Sequence, residues 1–485
     1  MKYRWLCYLI SHDCLFTGEK MNFDTAIAAN RFGLGARPGE LDRFEKNPKT
    51  VLLDQLQGPS ATPAVLAQLP ASDKVLTEVL EVRKAQRETK KMVGEGQIPA
   101  DVPKYGKLVR SYYIDQAGAR FRYAVETDYP FHERLVRFWS NHFAVSADKQ
   151  PVSALAGLYE NEAIRPNLNG SFLELLLAAE THPAMILYLD NERSIGPGSM
   201  IAQPRRKRRA NKRDVGINEN LAREILELHT LGVNGGYRQA DVTAFAKVLT
   251  GWSIGTDQGR FKAGTPGAFV FREAAHEPGS QVIMGERYQQ GGFDQGVAVL
   301  RKLASEPSTA RFIATKLVRH FVADDPPAAM VERIASVFLK SSGQLPEVHA
   351  ALVQSPEPWQ VPLAKYKTPE EFVISTHRAY DQVPGRMNIV IAALEQMGQM
   401  PLRPGSPQGW PDTAAQWGGA DALYKRIEWA NAAARQVGSL RNPLQVGEWS
   451  LGANFSEPTR TAIRRAESVV QGTTLLLASP DFQRR

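Results

Sequence analysis

A row of polar side chains on one predicted helix is the strongest indication of chemistry in this sequence. Residues 218–229 have a helical pattern in which Asn220, Glu224 and Glu227 follow one another at i, i+4 and i+7. An apolar stripe runs beside this row, so the two carboxylates are expected close to the buried side of the helix. Carboxylates near a core must be paired, protonated or bound to metal, because an isolated buried charge is costly. We therefore predict a catalytic or metal-binding site here.

Arg223 and His229 complete the predicted catalytic set on this helix. Glu227 and His229 would be about 200° apart on a regular helix, so the two glutamates and His229 cannot all bind one ion from it. The alternative interpretation is structural: Arg223 forms surface ion pairs, while Asn220 and Glu224 brace a loop. Both interpretations are open at this point.

Histidines from other segments could join the carboxylates. His142 lies on the aromatic face of a predicted helix, His182 precedes a proline, His276 lies in a predicted hairpin loop, and His320 lies in a late helix. A helical bundle can project such groups inward to bind iron or manganese. For each histidine alone, a satisfied core or capping role is the alternative. The predicted ligands of a divalent metal are Glu224, Glu227, His142, His182 and His276.

Helical periodicity dominates the chain and predicts a mainly α fold, a multi-helical bundle in one large domain over residues 23–485. A small β-hairpin insertion is expected near residues 267–288, where two short β-prone runs flank a turn-rich stretch. Residues 1–22 are interpreted as a leader of uncertain status, because their apolar run is shorter than that of a signal peptide, and Met21 is an alternative start. Mobile segments are predicted near residues 89–107 and 196–214.

The basic character of the chain is concentrated in one loop. The formal net charge is +8, and seven cationic side chains between residues 205 and 213 account for most of it. This loop contains no aromatic residue for base stacking, which argues against nucleic-acid binding. It could contact an anion as a cover over the neighbouring carboxylate helix. The possible anion contacts are Arg205, Arg206, Arg208 and Arg209.

Several classes of protein have no support in the sequence. No apolar run approaches the roughly 20 residues that cross a bilayer. The chain has no His-Glu-x-x-His or Walker motif. Its only cysteines are Cys7 and Cys14, which favours a reducing compartment such as the cytoplasm and leaves the periplasm or export open.

The sequence resembles a bacterial family known as domain of unknown function 1800. Eight blocks carry this resemblance, in the order in which the family has them, and they span nearly the whole chain. Ser140 is a departure, since we associate the family with histidine at that position. The blocks are residues 137–143, 218–224, 227–233, 249–252, 314–317, 319–322, 367–372 and 408–412.

The resemblance implies little about chemistry, because the family's function is not established. Genes of the family often lie beside those of an uncharacterised family, numbered 1501, whose members look secreted. Two hypotheses follow. The chain is an enzyme or metalloprotein with a polar Glu/His pocket between helices, or it is a non-catalytic assembly or maturation partner of a secreted protein. Converging polar side chains in one pocket would favour the first hypothesis, and a broad exposed apolar patch would favour the second.

Overall fold

A computed structural model describes residues 23–93, 103–202, 216–257, 262–360, 363–437 and 441–485. Within these ranges the protein is mainly α-helical with two small antiparallel sheets, which confirms the predicted fold class. No helix among the described residues is long and apolar enough to cross a membrane. The predicted leader, the basic loop and the centre of the first predicted mobile segment lie outside the described residues.

The helices before the basic loop form the first part of the bundle. Proline begins several of them, where its missing N–H costs nothing, and Ser171 with Glu174 forms a capping box. The α-helices are Glu40–Phe44, Pro48–Gln55, Ala64–Ala67, Ser72–Val93, Tyr105–Glu126, Pro130–His142, Ala156–Tyr159, Phe172–Thr181 and Pro183–Tyr188. The π-helices are Ala28–Phe32 and Glu160–Ile164, and the 3₁₀-helices are Val152–Ala154, Arg165–Asn167 and Asn191–Arg193.

The helix with the predicted site is not regular. The α-helix Asn220–Glu224 continues directly as the π-helix Ile225–Thr230. The backbone N–H of Leu231 accordingly donates to the oxygen of Leu226, five residues earlier, at 3.1 Å. A π-helix has more residues per turn than an α-helix, so the predicted i, i+4, i+7 row does not continue along one face. The α-helix Gln239–Val248 follows.

Four short strands form two separate sheets. Strand β1 (Trp252–Ile254) pairs with β2 (Phe269–Phe271), and β3 (Gln281–Ile283) pairs with β4 (Glu286–Tyr288). The two runs that the sequence indicates as strands are thus both extended, but they pair with other partners and not with each other. A 3₁₀-helix, Glu273–Ala275, lies between the two sheets in the chain.

The second part of the bundle follows β4. Its helices begin with Phe293–Ala304 and Pro307–Phe321, the second of which contributes most to the site described below. The remaining helices are Ala328–Lys340, Leu345–Gln354, Glu357–Gln360, Pro369–Ala379, Met387–Gln396, Ala414–Trp417, Ala420–Val437, Pro443–Leu451, Gly452–Asn454 (3₁₀), Glu457–Arg464, Val469–Ala478 and Pro480–Gln483.

The described residues bury two main hydrophobic cores. The larger contains Trp139, Phe143 and Phe172, whose rings lie about 6 Å apart. The other core is built mostly from the C-terminal helices around Phe372 and also takes in Leu34 from the N-terminal region. Chain segments far apart in sequence therefore meet within the second core.

Candidate active site

A cavity of about 580 Å³ lies between three helices and a loop, and we call it the main cavity. It brings together three of the candidates singled out from sequence, His142, Glu227 and His320. Its volume is in the range of small-molecule sites. Its other lining residues include Phe138, Asn141, Leu228, Phe312, Lys316, Arg319, Trp410 and Asp412.

Helix Pro307–Phe321 supplies four lining residues, because Phe312, Lys316, Arg319 and His320 lie at i, i+4, i+7 and i+8. This spacing keeps them on one face of an α-helix. Residues 314, 317 and 318 turn toward the core and are fully buried. One face of this helix therefore packs against the core, and the opposite face lines the main cavity.

The loop over residues 406–413 closes another side of the main cavity and is tied to Asn141. The Asn141 amide donates to the backbone oxygen of Trp410 at 2.9 Å, and the Trp410 backbone N–H donates to the Asn141 side-chain oxygen at 2.7 Å. Gly409 has φ +81°, and a Cβ there would lie 2.3 Å from the backbone oxygen of Asn141. Only glycine fits this close approach.

His320 and Asp412 form a partly buried hydrogen-bonded pair. Nδ1 of His320 donates to Oδ2 of Asp412 at 2.5 Å. Nε2 of His320 is buried and has no hydrogen-bond partner among the described residues. Burial lowers the pKa of His320, and this outweighs the opposing effect of the Asp412 charge. The imidazole is therefore neutral at pH 7, with its proton on Nδ1 and a lone pair on Nε2.

Asp412 is held ionised by cations on its other side. Lys365 Nζ and Arg485 Nη2 each lie 3.3 Å from its Oδ1. Burial alone would raise the pKa of Asp412, but His320, Arg485 and Lys365 lower it to about 2. Arg485 also donates to the backbone oxygen of His320. Asp412 thus orients His320 in the same way as the carboxylate of a Ser-His-Asp triad orients its histidine base.

Glu227 and His229 both lie in the π-helix but face different parts of the protein. Nδ1 of His229 lies 2.7 Å from Oε1 of the fully buried Glu180, so this imidazole is turned into the core. The backbone oxygen of His229 accepts from Nε2 of His142 at 3.1 Å. Glu227 instead borders the main cavity, and its carboxylate accepts a 3.3 Å hydrogen bond from Tyr237. His142 is neutral, because burial keeps its pKa far below the ordinary value.

The other members of the predicted catalytic set lie apart from the main cavity. Glu224 is half-buried, and desolvation raises its pKa. Arg223 pairs with Glu219 at 3.2 Å and with the Gln239 side chain at 2.8 Å, as the structural interpretation expected for a surface arginine. Asn220 is exposed at the start of the helix, where its backbone N–H donates to Asn218.

The predicted metal ligands are spread over several places. His182 accepts from the backbone N–H of Ala184 and contacts Glu162 through Nε2 at 3.1 Å. His276 lies 3.0 Å from the backbone oxygen of Thr250. No group of three His, Cys, Asp or Glu side chains in the described part of the chain is placed to hold a metal ion. The predicted anion contacts, Arg205 to Arg209, lie outside the described residues.

A comparison with protein families identifies the chain. The model of the family described as "Protein of unknown function (DUF1800)" matches residues 27–484. The chain belongs to the DUF1800 family. No curated protein and no solved structure matches the sequence.

The sequence blocks that carry the resemblance to DUF1800 converge on the main cavity. Five of the eight contribute lining residues: 137–143, 227–233, 314–317, 319–322 and 408–412. A sixth, residues 367–372, lines a second cavity of about 90 Å³. Asp412, Lys316 and Arg319 were absent from the predicted site, although their blocks were recognised. The sequence analysis instead places the site on the helix around Glu224.

The second cavity is an ionic chamber that adjoins the main one. The two share Asn141, His320, Trp410 and Asp412 as lining residues. Each of its arginines contacts a carboxylate of the protein: Arg120 with Glu160 at 2.8 Å, Arg134 with Glu371 at 2.6 Å, and Arg137 with Glu370 at 3.1 Å. Ser140, the departure from the family, also lines this chamber.

Proposed function

We propose that this DUF1800 protein is an enzyme that transfers a proton within the main cavity, with His320 as the general base. The observation that carries the proposal is the neutral His320 imidazole, held through Nδ1 by Asp412 and left with an unpartnered Nε2. A buried polar atom without a partner costs on the order of 1–3 kcal/mol. A bound substrate or water that donates to Nε2 would recover this cost.

The environment of the pair supports this role. Proton transfer to Nε2 creates an imidazolium, which the Asp412 carboxylate stabilises at 2.5 Å. Asp412 remains ionised, because Lys365 and Arg485 compensate its charge. Asn141 fixes the loop that carries both Trp410 and Asp412, so the orientation of the carboxylate does not depend on the ligand. Glu227 and His142 are further polar groups that a substrate could contact.

The protonation state tests the first half of the proposal. We expect ¹⁵N NMR at pH 7 to show His320 protonated at Nδ1 and unprotonated at Nε2, and to show this preference lost in Asp412→Asn. A charged imidazolium at pH 7 would contradict the role of a base. His377 is a useful internal reference, since its Nδ1 lies 2.9 Å from the backbone oxygen of Gln382 in another part of the protein.

Turnover tests the second half. Chromogenic esters, phosphate monoesters and glycosides would be screened with the wild type, His320→Gln and the control His377→Gln. A positioned general base contributes typically 10²–10⁴-fold, so we expect a loss of about that size in His320→Gln alone. Equal turnover in the wild type and His320→Gln, for every substrate that reacts, would refute the proposal.

The second candidate function is an assembly role, and one exposed apolar surface favours it. Helix Ala420–Val437 presents Leu423, Tyr424 and Ile427 to solvent, with 61% of Tyr424 exposed. These positions share a face of the helix. A protein of the neighbouring family 1501 is the partner we propose for this surface.

Co-expression with the neighbouring 1501 protein tests this role. A complex in size-exclusion chromatography that Tyr424→Ala and Ile427→Ser abolish would support it, and the absence of a complex would rule out this partner. Cell fractionation then addresses the compartment. We propose the cytoplasm, since no cysteine follows Met21, whereas a stable complex with a secreted protein would place the chain outside it.

A further inference from the structure

We infer that the substrate of the main cavity is a small organic anion, and that Lys316 and Arg319 bind its carboxylate or phosphate group. The inference rests on the proposed function for the role of the ligand as a substrate, but the binding site itself stands on separate observations. It concerns side chains that the acid–base pair does not use.

Lys316 and Arg319 are cations that form no ion pair with a carboxylate of the described residues. The Lys316 amine lies 5.6 Å from the centroid of the Phe312 ring and has no hydrogen-bond or ion-pair partner within the described ranges. Arg319 donates through Nε to the backbone oxygen of Asp324 at 3.3 Å. The two residues are three apart on helix Pro307–Phe321, so both charges reach the same side of the main cavity.

The neighbouring ionic chamber provides a comparison, because its cations are paired with carboxylates of the protein. Its arginines each contact a glutamate of the protein at 3.1 Å or less. The main cavity departs from this pattern. Of its two carboxylates, Asp412 is already engaged by His320, Lys365 and Arg485, and Glu227 accepts only from a tyrosine hydroxyl. Lys316 and Arg319 thus border the main cavity without an ion pair to either of its carboxylates.

Burial makes the charge of Lys316 costly without a ligand. Desolvation lowers the pKa of Lys316 to about 8; the charge of Asp412 opposes this shift without cancelling it, and the charge of Arg319 acts in the same direction as desolvation. An anion between the two would reverse this effect, because opposite charge favours the protonated amine. Lysine and arginine together supply the charge-assisted hydrogen bonds that carboxylates and phosphates prefer.

The rest of the cavity wall indicates an organic ligand. Phe138, Phe312, Leu228 and Trp410 line it with aromatic and aliphatic surface. A volume of about 580 Å³ exceeds what an inorganic ion requires and is in the range for small-molecule ligands. The chemistry that fits is an anionic group joined to a flat or aliphatic apolar part, with the reacting atom near His320.

Three probes of one shape test the charge requirement. Isothermal titration calorimetry at low ionic strength would compare benzoate, phenyl phosphate and the neutral benzamide. We expect at least one anion to bind about 10-fold or more tightly than benzamide, and expect its affinity to fall as salt is added. Binding of benzamide as tight as that of both anions, or no binding of either anion at 20 mM, would overturn the inference. The preference between the two anions identifies carboxylate or phosphate.

Substitutions then locate the site. Lys316→Met and Arg319→Gln should each weaken binding of the preferred anion about 10- to 100-fold, the usual effect of removing a charged hydrogen bond. Lys316→Arg should retain most of the affinity. Arg311→Gln is the matched control, because Arg311 lies on the same helix but pairs with Glu332 at the surface. Unchanged affinity in both neutral variants would overturn the inference, and thermal melting confirms that each variant is folded.

The variant His320→Gln separates this inference from the proposed function. It retains both cations, so it should bind the anion with affinity within a few-fold of the wild type even where turnover is lost. Retained turnover in His320→Gln with normal anion binding would refute the base and leave the anion site intact. If His320→Gln loses both its turnover and its preference for anions, the role of His320 as a base is retained, and the assignment of anion binding to Lys316 and Arg319 is refuted.

Discussion

Replacing Asp412 by asparagine should destabilise the protein and disable its histidine at the same time. The pKa of Asp412 falls from an ordinary 3.8 to about 2 in the folded state, which corresponds to about 2.4 kcal/mol of preferential stabilisation of the carboxylate. This is an upper value at pH 7, because neutral His320 then contributes a hydrogen bond but no charge. We therefore expect Asp412→Asn to lower the free energy of unfolding by about 2 kcal/mol.

The sign of the pH dependence follows from the lowered pKa. The contribution of Asp412 is complete above the unfolded-state pKa near 4 and is lost as the pH falls toward about 2. Urea unfolding of wild type and Asp412→Asn should thus show the largest difference at pH 7 and a smaller one at each step below pH 4. Asp421→Asn is the control, since that side chain is 78% exposed beside Lys425 and should change stability by less than about 0.5 kcal/mol.

Equal urea midpoints for wild type and Asp412→Asn at pH 7 would refute this reasoning, because they would mean that Asp412 gains nothing from its three partners. A difference that stays constant down to pH 3 would show that the variant loses packing and not charge. Turnover provides an independent check. An asparagine can present its N–H to His320 and favour the wrong tautomer, so the loss of activity should approach that of His320→Gln.

Three further predictions concern other parts of the fold. Burial lowers the pKa of Lys367 to about 7, so wild-type stability should decrease as the pH falls from about 10 to about 7; Lys367→Met should weaken this dependence and leave the smaller part that comes from Lys316, as urea midpoints at pH 9.5 and 7 will show. Gly409→Ala should cost at least about 1–2 kcal/mol, because alanine is strained at φ +81° and its Cβ would meet the Asn141 backbone; thermal melting measures this, and an unchanged melting temperature would contradict it. Ser171→Ala should cost about 1 kcal/mol in urea unfolding, since it removes the cap shared with Glu174.

Local sequence patterns predicted the helices well because helix formation is mostly a local matter. Periodicity, prolines at helix starts and capping residues are all readable within about ten residues. The sequence analysis did not predict the π-helix Ile225–Thr230, since its sequence is compatible with α-helical spacing and the contact of its His229 with Glu180 joins segments far apart in the chain. The predicted row of Asn220, Glu224 and Glu227 was divided for this reason.

Local sequence patterns do not identify pairings between segments that are distant in the chain. Both predicted strand runs are extended; the first pairs with β1 from an earlier segment, whereas the second pairs with β4 in a tight hairpin that the sequence analysis did not recognise. His320 and Asp412 are 92 residues apart, and no spacing rule links an exposed-looking helix position to a loop aspartate. The blocks shared with DUF1800 carried the missing signal, because five of them line the main cavity.

Because Arg485 contacts the site, the site can form completely only after this residue has been translated. Its guanidinium contacts Asp412, Glu371 and the backbone of His320, and its own backbone pairs with that of Lys365. The ribosome must therefore translate through residue 485 before the histidine and aspartate acquire their full set of neighbours. A nascent chain that stalls earlier can bury much of the larger core and still lack an organised proton acceptor, so the proposed activity would begin only after the chain had been synthesised through that arginine.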